Sequence, residues 1–123
     1  MNKEQIIEKL NHINLEKNQY IVIGSASLVM QSITDKANDI DLATSKDYYE
    51  KIPWKIKEGA FHIEIKYYDC FEIGYNLFEE SKIDCVDIDG YSCASLREIL
   101  IVKKALNREK DQKMIQILER KVK

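Results

Sequence analysis

The chain is poor in the features that mark membrane, secreted or low-complexity proteins. Its 123 residues include a single proline, and no apolar run approaches the roughly 18 to 20 residues that cross a bilayer. The start, MNKEQIIEKL, carries charges throughout, so we expect no signal peptide there. These absences predict a soluble protein that has no membrane segment.

Cysteine is also scarce, and its pattern excludes the usual structural roles. Cys70, Cys85 and Cys93 are an odd number and lack CxxC spacing. The only histidines that could serve as co-ligands are His12 and His62, whereas a zinc site normally shows paired ligands at short, regular spacing. We interpret the cysteines as buried or incidental thiols of a protein in the reducing cytoplasm.

The charge balance and the length of the chain limit the kind of protein and the number of domains that it can form. A formal net charge of -2 argues against a protein that coats nucleic acid through bulk charge, although a local basic site remains compatible with it. The length suits one core, and the chain has no internal repeat or evident linker. We therefore predict a single domain over residues 1–123, with C-terminal helices at 95–120 packed on it.

Hydrophobic periodicity predicts helices and strands in alternation. NKEQIIEKLNHI has the spacing of an amphipathic helix, QYIVIG predicts a buried strand, and SASLVMQSI predicts a helix begun by Ser25. NDIDLAT predicts the next strand, SKDYYEKI a helix capped by Ser45, and FHIEIKYY and KIDCVDIDG further extended segments. Helices return from Ser95 onward. This order predicts an α+β fold (an α/β mixed sheet) flanked by helices.

The stretch IGSASLVMQSITDKANDIDL combines two chemical features. Asp39 and Asp41 are spaced to share one face of a strand, and two carboxylates held that close repel each other unless a cation such as Mg²⁺ lies between them. Upstream, Gly24 and Ser25 stand where a strand ends and a helix begins, a place where backbone N–H groups can hold a phosphate. Together they predict part of a phosphoryl- or nucleotidyl-transfer site.

The same stretch resembles the signature of the DNA polymerase β-type nucleotidyltransferase superfamily: a strand, a Gly-Ser turn, a helix, and Asp-x-Asp on the next strand. The helix ASLVM is most similar to the branch of the AbiEii-like toxins and minimal nucleotidyltransferases, which are small bacterial proteins. The distal segment SLREILIVKKALNREKDQKMIQIL resembles the end of that branch, so the two matches occur in the expected order.

The resemblance implies a nucleotidyltransferase-like fold and a Mg²⁺- or Mn²⁺-dependent enzyme. Such an enzyme moves a nucleoside monophosphate from an NTP to an acceptor hydroxyl of RNA, a protein or a small molecule. It implies that Asp39 and Asp41 hold the metal and that Gly24 and Ser25 hold the phosphates of the nucleotide. It also implies that Lys103 reaches the nucleotide-binding cleft.

A third carboxylate is expected on a later strand, as a metal ligand or as general base for the acceptor hydroxyl. Glu64, in HIEIK, is the first choice because it stands on the first strand after the helical segment. Asp69 is the next choice, and Asp84 and Asp87 are rivals. The identity of this residue stays open between Glu64 and Asp69.

Relatives in the superfamily usually append a substrate-binding domain, so the resemblance predicts a homodimer or a partner protein that completes the cleft, as in toxin–antitoxin or defence systems. The alternative is a catalytically inactive nucleotidyltransferase-like module for binding or interaction.

Three further sequence features have simpler interpretations than a role in catalysis. VDIDG predicts a surface hairpin, the charged tail a solvated helix, and His62 a surface side chain.

Overall fold

The computed structural model describes residues 1–59, 62–68 and 84–122. Within these residues the helices are α1 (Lys3–Ile13), α2 (Gly24–Met30), α3 (Lys46–Lys51), α4 (Trp54–Lys57), α5 (Leu96–Leu106) and α6 (Gln112–Lys121). The strands are β1 (Tyr20–Ile23), β2 (Ile40–Ser45), β3 (Ile63–Tyr68), β4 (Cys85–Ile88) and β5 (Tyr91–Ala94). None of the helices in the described part has the length and apolar content that a bilayer crossing requires.

The five strands form one mixed sheet in the order β3-β2-β1-β5-β4. β1 pairs antiparallel with β2 and parallel with β5, so its two neighbours run in opposite directions. β2 pairs parallel with β3, and β4 pairs antiparallel with β5. A mixed sheet with helices packed against it confirms the predicted α+β fold class.

Both faces of the sheet are covered. On one face, Leu42 packs in a cluster that includes Ile6 and Leu10 of α1. The next residue of β2, Ala43, joins a second cluster that includes Ile99 of α5 and Leu118 of α6. Because successive residues of a strand point to opposite faces, β2 contributes to both layers of the core. The predicted apolar face of α1 is confirmed.

Helix starts agree with the sequence except at α2. Ser45 and Ser95 cap α3 and α5 through their side chains, as predicted for Ser45. The prediction that Ser25 begins α2 was wrong, because Ile23 is the N-cap residue and Gly24 the first helical residue. Ile23 still pairs with β2, so the chain must turn at once, and Gly24 does so with φ at +63°. The helix also ends at Met30, earlier than predicted.

The predicted surface hairpin is confirmed. Asp89 and Gly90 have φ angles of 53° and 88°, and they join β4 to β5 with Ile88 opposite Tyr91. Positive φ at both central residues is the requirement of the tight two-residue turn that matches the twist of a hairpin. This hairpin lies at the β4 edge, the opposite edge of the sheet from β3.

Candidate functional site

Three neighbouring strands bring the predicted turn and two predicted carboxylates into one row. Ile23, the last residue of β1, pairs with Asp41 of β2, and Asp41 pairs with Glu64 of β3. Because paired strands lie about 4.8 Å apart, the two acidic residues stand side by side near one end of the sheet. Gly24 follows Ile23 directly, so the strand-to-helix turn lies beside Asp41.

The turn approaches the carboxylate closely. Gly24 has φ at +63°, and a Cβ atom built on it would lie 3.4 Å from Oδ2 of Asp41. Any residue with a side chain would be strained at this φ. The glycine therefore fits a place where the backbone must run close to the carboxylate. Ser25, the next residue, is exposed.

Asp41 and Glu64 interact directly. Burial raises the pKa of the Asp41 carboxyl group, and the charge of Glu64, a hydrogen bond to Glu64 and the charge of Asp39 raise it further, while Lys66 acts against them. The negative charges of these neighbouring carboxylates repel each other, and a cation in addition to Lys66 would relieve that repulsion.

Asp39 stands at the rim of this group. The sequence predicted it to lie on the strand with Asp41, but β2 begins at Ile40, one residue later. Its carboxylate Oδ1 is 3.7 Å from Nδ1 of His62, and both side chains are more than half exposed. The structure thus brings Asp39, Asp41 and Glu64 together, with His62 at the solvent side of Asp39.

Sequence reasoning missed Lys66 as a site residue. It lies two residues after Glu64 on β3, so both side chains project from the same face of the strand. Its positive charge lowers the pKa of Asp41 against the effects of burial and of the neighbouring carboxylates. The alternation in HIEIK already placed Lys66 beside Glu64, and that pattern is the signal that could have identified it.

A second feature that the sequence did not reveal holds α2 in place. The buried Ser27 hydroxyl donates a hydrogen bond of 2.7 Å to the backbone carbonyl of Ala94. Gln31 donates a second bond of 2.9 Å to the same carbonyl. These contacts fix α2 to the end of β5 and thereby position the turn at Gly24. No local pattern could indicate a partner so distant in the chain.

The structure gives Lys103 a partner within the C-terminal helices. Its ammonium Nζ lies 3.1 Å from Oδ1 of Asp111, and the two side chains are 14% and 6% exposed. Arg108 binds the other carboxylate oxygen at 2.7 Å. Although burial raises the pKa of Asp111, the hydrogen bonds and charges of Arg108 and Lys103 hold it below its usual range. The predicted contact of Lys103 with the nucleotide stays a prediction.

The other candidates for the third carboxylate are Asp69, Asp84 and Asp87, and the structure does not place a described one beside Asp41. Asp69 lies outside the described residues. Asp87 is on β4, three strand spacings from β2, which corresponds to about 14 Å. Asp84 directly precedes the same strand, and its backbone N–H donates to Glu98. Among the described candidates, Glu64 is therefore the one that the sheet places beside Asp41.

Two of the cysteines are described, and both are free thiols, Cys85 half-buried and Cys93 buried. Burial raises the pKa of Cys85 to about 11 and that of Cys93 to about 12. Their thiols are thus protonated at neutral pH and unsuited to nucleophilic chemistry. The structure agrees with the interpretation of the cysteines as buried or incidental thiols at Cys93, which is fully buried. Cys70 lies outside the described residues.

The carboxylate oxygens of Asp41 and Glu64 suit Mg²⁺, because hard oxygen ligands are the ones that this ion prefers. Asp41 pairs with Glu64 across the two strands, and a cation would relieve the repulsion between the two carboxylates. Across residues 1–59, 62–68 and 84–122, no set of three or more His, Cys, Asp or Glu side chains is arranged to hold a metal ion. The described residues therefore offer a fitting pair of carboxyl groups with Asp39 next to it.

Comparison of the chain with protein-family models, with curated proteins and with solved structures found no match. The resemblance to the polymerase β-type superfamily therefore stays an expectation from the two sequence motifs.

Proposed function

We propose that the protein is a Mg²⁺-dependent nucleotidyltransferase that moves a nucleoside monophosphate from an NTP to an acceptor hydroxyl. The observation that carries this proposal is that the turn at Gly24, directly after β1, lies beside Asp41 of β2, which pairs with Glu64 of β3. A backbone that can approach a phosphate and two carboxyl groups that need a cation are the parts that such a reaction requires.

In this proposal Asp39 and Asp41 would hold the metal, Glu64 would stand beside them, and the bound ion would neutralise negative charge on the phosphates. The turn at Gly24 and Ser25 binds phosphate oxygens through its backbone N–H groups and the exposed Ser25 hydroxyl. Lys66 supplies positive charge beside the carboxylates. These side chains orient the α-phosphorus for in-line attack.

In the transfer step the acceptor oxygen forms a bond to the α-phosphorus, and the bond between that phosphorus and the oxygen of pyrophosphate breaks. The proton of the acceptor hydroxyl must leave as the new bond forms. Glu64 is exposed on β3, the outermost strand on this side of the sheet that the described residues form, and an acceptor would approach it there. Glu64 either accepts this proton or completes the metal site.

The resemblance also suggests the acceptor, the partner and the biological system in which the protein acts. An RNA, a protein or a small molecule would provide the acceptor hydroxyl, and a homodimer or a partner protein would complete the cleft. The system would be a bacterial toxin–antitoxin or defence pair. The free thiols of Cys85 and Cys93 agree with the reducing cytoplasm that we propose for it.

Calorimetry of NTP binding tests the proposal, and the chain supplies a matched control. We expect the wild type to bind an NTP only when Mg²⁺ is present, and the double variant Asp39→Asn, Asp41→Asn to bind at least about tenfold more weakly, because the carboxylates hold the ion. The control carries Asp87→Asn and Asp89→Asn in the other Asp-x-Asp segment and should bind like the wild type. Magnesium-independent binding, or equal binding by all three proteins, would contradict the proposal.

A second candidate function is a catalytically inactive binding or interaction module. Two observations favour it: the absence of a three-ligand metal group among the described residues, and the position of Lys66, whose charge already compensates part of the negative charge at Asp41. In this case the wild type would bind no NTP at millimolar concentration with or without Mg²⁺, and Lys66→Ala would not restore binding.

A further inference from the structure

The two aromatic side chains among the exposed large apolar residues of the described chain lie on α4 and β3. Trp54, the only tryptophan of the protein, is 67% exposed, and Tyr67 is 43% exposed. A large ring left in water forfeits the free energy that its burial would provide. Exposed aromatic rings that lie close together are typical of a surface that binds a partner.

The rings are arranged with a lysine among them. The centroids of Tyr49 and Tyr67 are 4.6 Å apart, and the Lys57 ammonium lies 4.8 Å from the centroid of Tyr49 and 5.8 Å from that of Trp54. We call Tyr49, Trp54, Lys57 and Tyr67 the aromatic surface. It combines flat π faces with a positive charge that is held among them.

The charge of helix α4 indicates the chemistry of an occupant of the aromatic surface. Helix α4 has the sequence WKIK, with Lys55 and Lys57 in its last turn and no acidic residue. A partner that complements these lysines carries negative charge, and one that complements exposed rings carries flat, stackable groups. Unpaired nucleotides provide both, since every base has a π face and every linkage a phosphate.

The position of the aromatic surface favours a single strand over a duplex. β3 is the outermost strand of the described sheet on this side, and a ring can stack only on a base that is not already stacked and paired within a helix. Tyr67 follows Glu64 by three residues, which corresponds to about 10 Å along β3. Because they are an odd number of residues apart, Tyr67 and Glu64 lie on opposite faces of β3.

We propose that the aromatic surface binds single-stranded nucleic acid by stacking unpaired bases on Trp54 and Tyr67, with Lys55 and Lys57 contacting phosphates. The binding does not require the nucleotidyl transfer proposed above. That the bound strand is also the acceptor rests on that proposed function.

Trp54 itself provides the readout. We would titrate a fluorescein-labelled oligouridine of about 12 nucleotides, a length that covers typical single-strand sites, and follow anisotropy. With unlabelled oligouridine, the intrinsic fluorescence of Trp54 reports stacking directly. The wild type should bind saturably with quenching, and a duplex of equal length should bind more weakly. Equal affinity for both without quenching would overturn the proposal.

Variants separate stacking from unspecific attraction. Trp54→Ala should weaken binding about tenfold or more, and Trp54→Phe should retain most of it because a ring remains. Leu106→Ala is the matched control, since this leucine of α5 is 48% exposed and belongs to another surface. Unchanged binding by Trp54→Ala, or no binding of any strand by the wild type, would reject the proposal and leave a protein as the partner to seek.

The two proposals fail in distinguishable ways. The variant Asp39→Asn, Asp41→Asn should bind oligouridine like the wild type, and Trp54→Ala should bind the NTP with Mg²⁺ like the wild type. Loss of strand binding alone in Trp54→Ala supports the aromatic surface whatever the outcome of the NTP experiment. If Trp54→Ala lost both strand binding and NTP binding, the substitution would be disrupting the fold locally. The proposal that the aromatic surface is a binding site separate from the NTP site would then be overturned.

Discussion

Two groups of charged side chains in this molecule are built in opposite ways. At the junction of α5 and α6, Asp111 accepts from both Lys103 and Arg108. At the β2–β3 edge, Asp41 has Glu64 and Asp39 beside it, with Lys66 acting against them. Burial raises the pKa of both aspartates, but in the first group the cations outweigh it, and in the second group they do not.

The difference separates a group that the chain itself compensates from one that a bound cation would stabilise. Asp111 is charged and satisfied by the chain itself, so its group stabilises the fold without further help. Asp41 is half-buried with too little positive charge around it, so the fold bears a cost there that a bound cation would offset. Charged groups that lower the stability of the folded protein often belong to binding or catalytic sites.

Removing Asp111 should have the largest effect on stability. Asp111→Ala leaves Lys103, which is only 14% exposed, without its carboxylate, and breaking a buried pair in this way costs about 3 kcal/mol. For a domain of this size that corresponds to a fall in Tm of about 10 °C. Thermal and urea unfolding at pH 7 would measure it.

The pH dependence of the same variant checks the cause. The pKa of Asp111 is lowered in the folded state, so its stabilisation is present above the usual aspartate pKa of about 3.9 and is lost as pH falls through the lower folded value. The gap between wild type and Asp111→Ala should therefore narrow in acid. Asp87→Ala, at an exposed position of β4, should change stability by less than about 0.5 kcal/mol. An equal loss in both variants would contradict the comparison.

Local patterns accounted for much of the fold. The apolar face of α1, the cap at Ser45 and the tight turn at Asp89 and Gly90 depend on residues close together in the chain, and all were predicted. The start of α2 was not, because the pairing of Ile23 with Asp41 decides it. Contacts across the sheet do not appear in any short segment.

The candidate site divides in the same way. The sequence indicated Gly24, Asp41 and Glu64 individually, but only the register of three strands shows that they form a row. The hydrogen bond from Ser27 to Ala94 spans 67 residues, and the pairing of Lys103 with Asp111 depends on how α5 meets α6. Such tertiary contacts are set by packing, on which periodicity gives no information.

Neutralising Asp41 should have a smaller effect of opposite sign. Because its pKa is raised in the folded state, the stability linked to its protonated form is present below pH about 3.9 and is lost as pH rises through the raised value. Asp41→Asn removes the charge, so we expect a gain of about 0.5–1 kcal/mol at pH 7, as stabilising substitutions commonly give. Urea unfolding at neutral and acidic pH would show a gain that disappears in acid.

Magnesium sharpens this second prediction. If the carboxyl pair binds the ion, millimolar Mg²⁺ should raise the stability of the wild type and leave that of Asp41→Asn nearly unchanged, since only the folded wild type has the site. Asp87→Asn should behave like the wild type in both experiments. A variant Asp41→Asn that is less stable than the wild type at pH 7 would show that the charge of Asp41 is already compensated within the chain.

The smallest effect is expected at a second ion pair between α5 and α6. Lys104 and Glu119 are 3.0 Å apart, and their side chains are 53% and 48% exposed. The separation nearly equals that of Lys103 and Asp111, but water screens this pair and competes for its hydrogen bonds. Glu119→Gln should therefore cost less than about 0.5 kcal/mol in urea unfolding at pH 7. If Glu119→Gln lost as much stability as Asp111→Ala, the attraction of opposite charges would stabilise the helix junction whether or not the pair is buried. Burial would then no longer explain why the Asp111 and Asp41 groups differ.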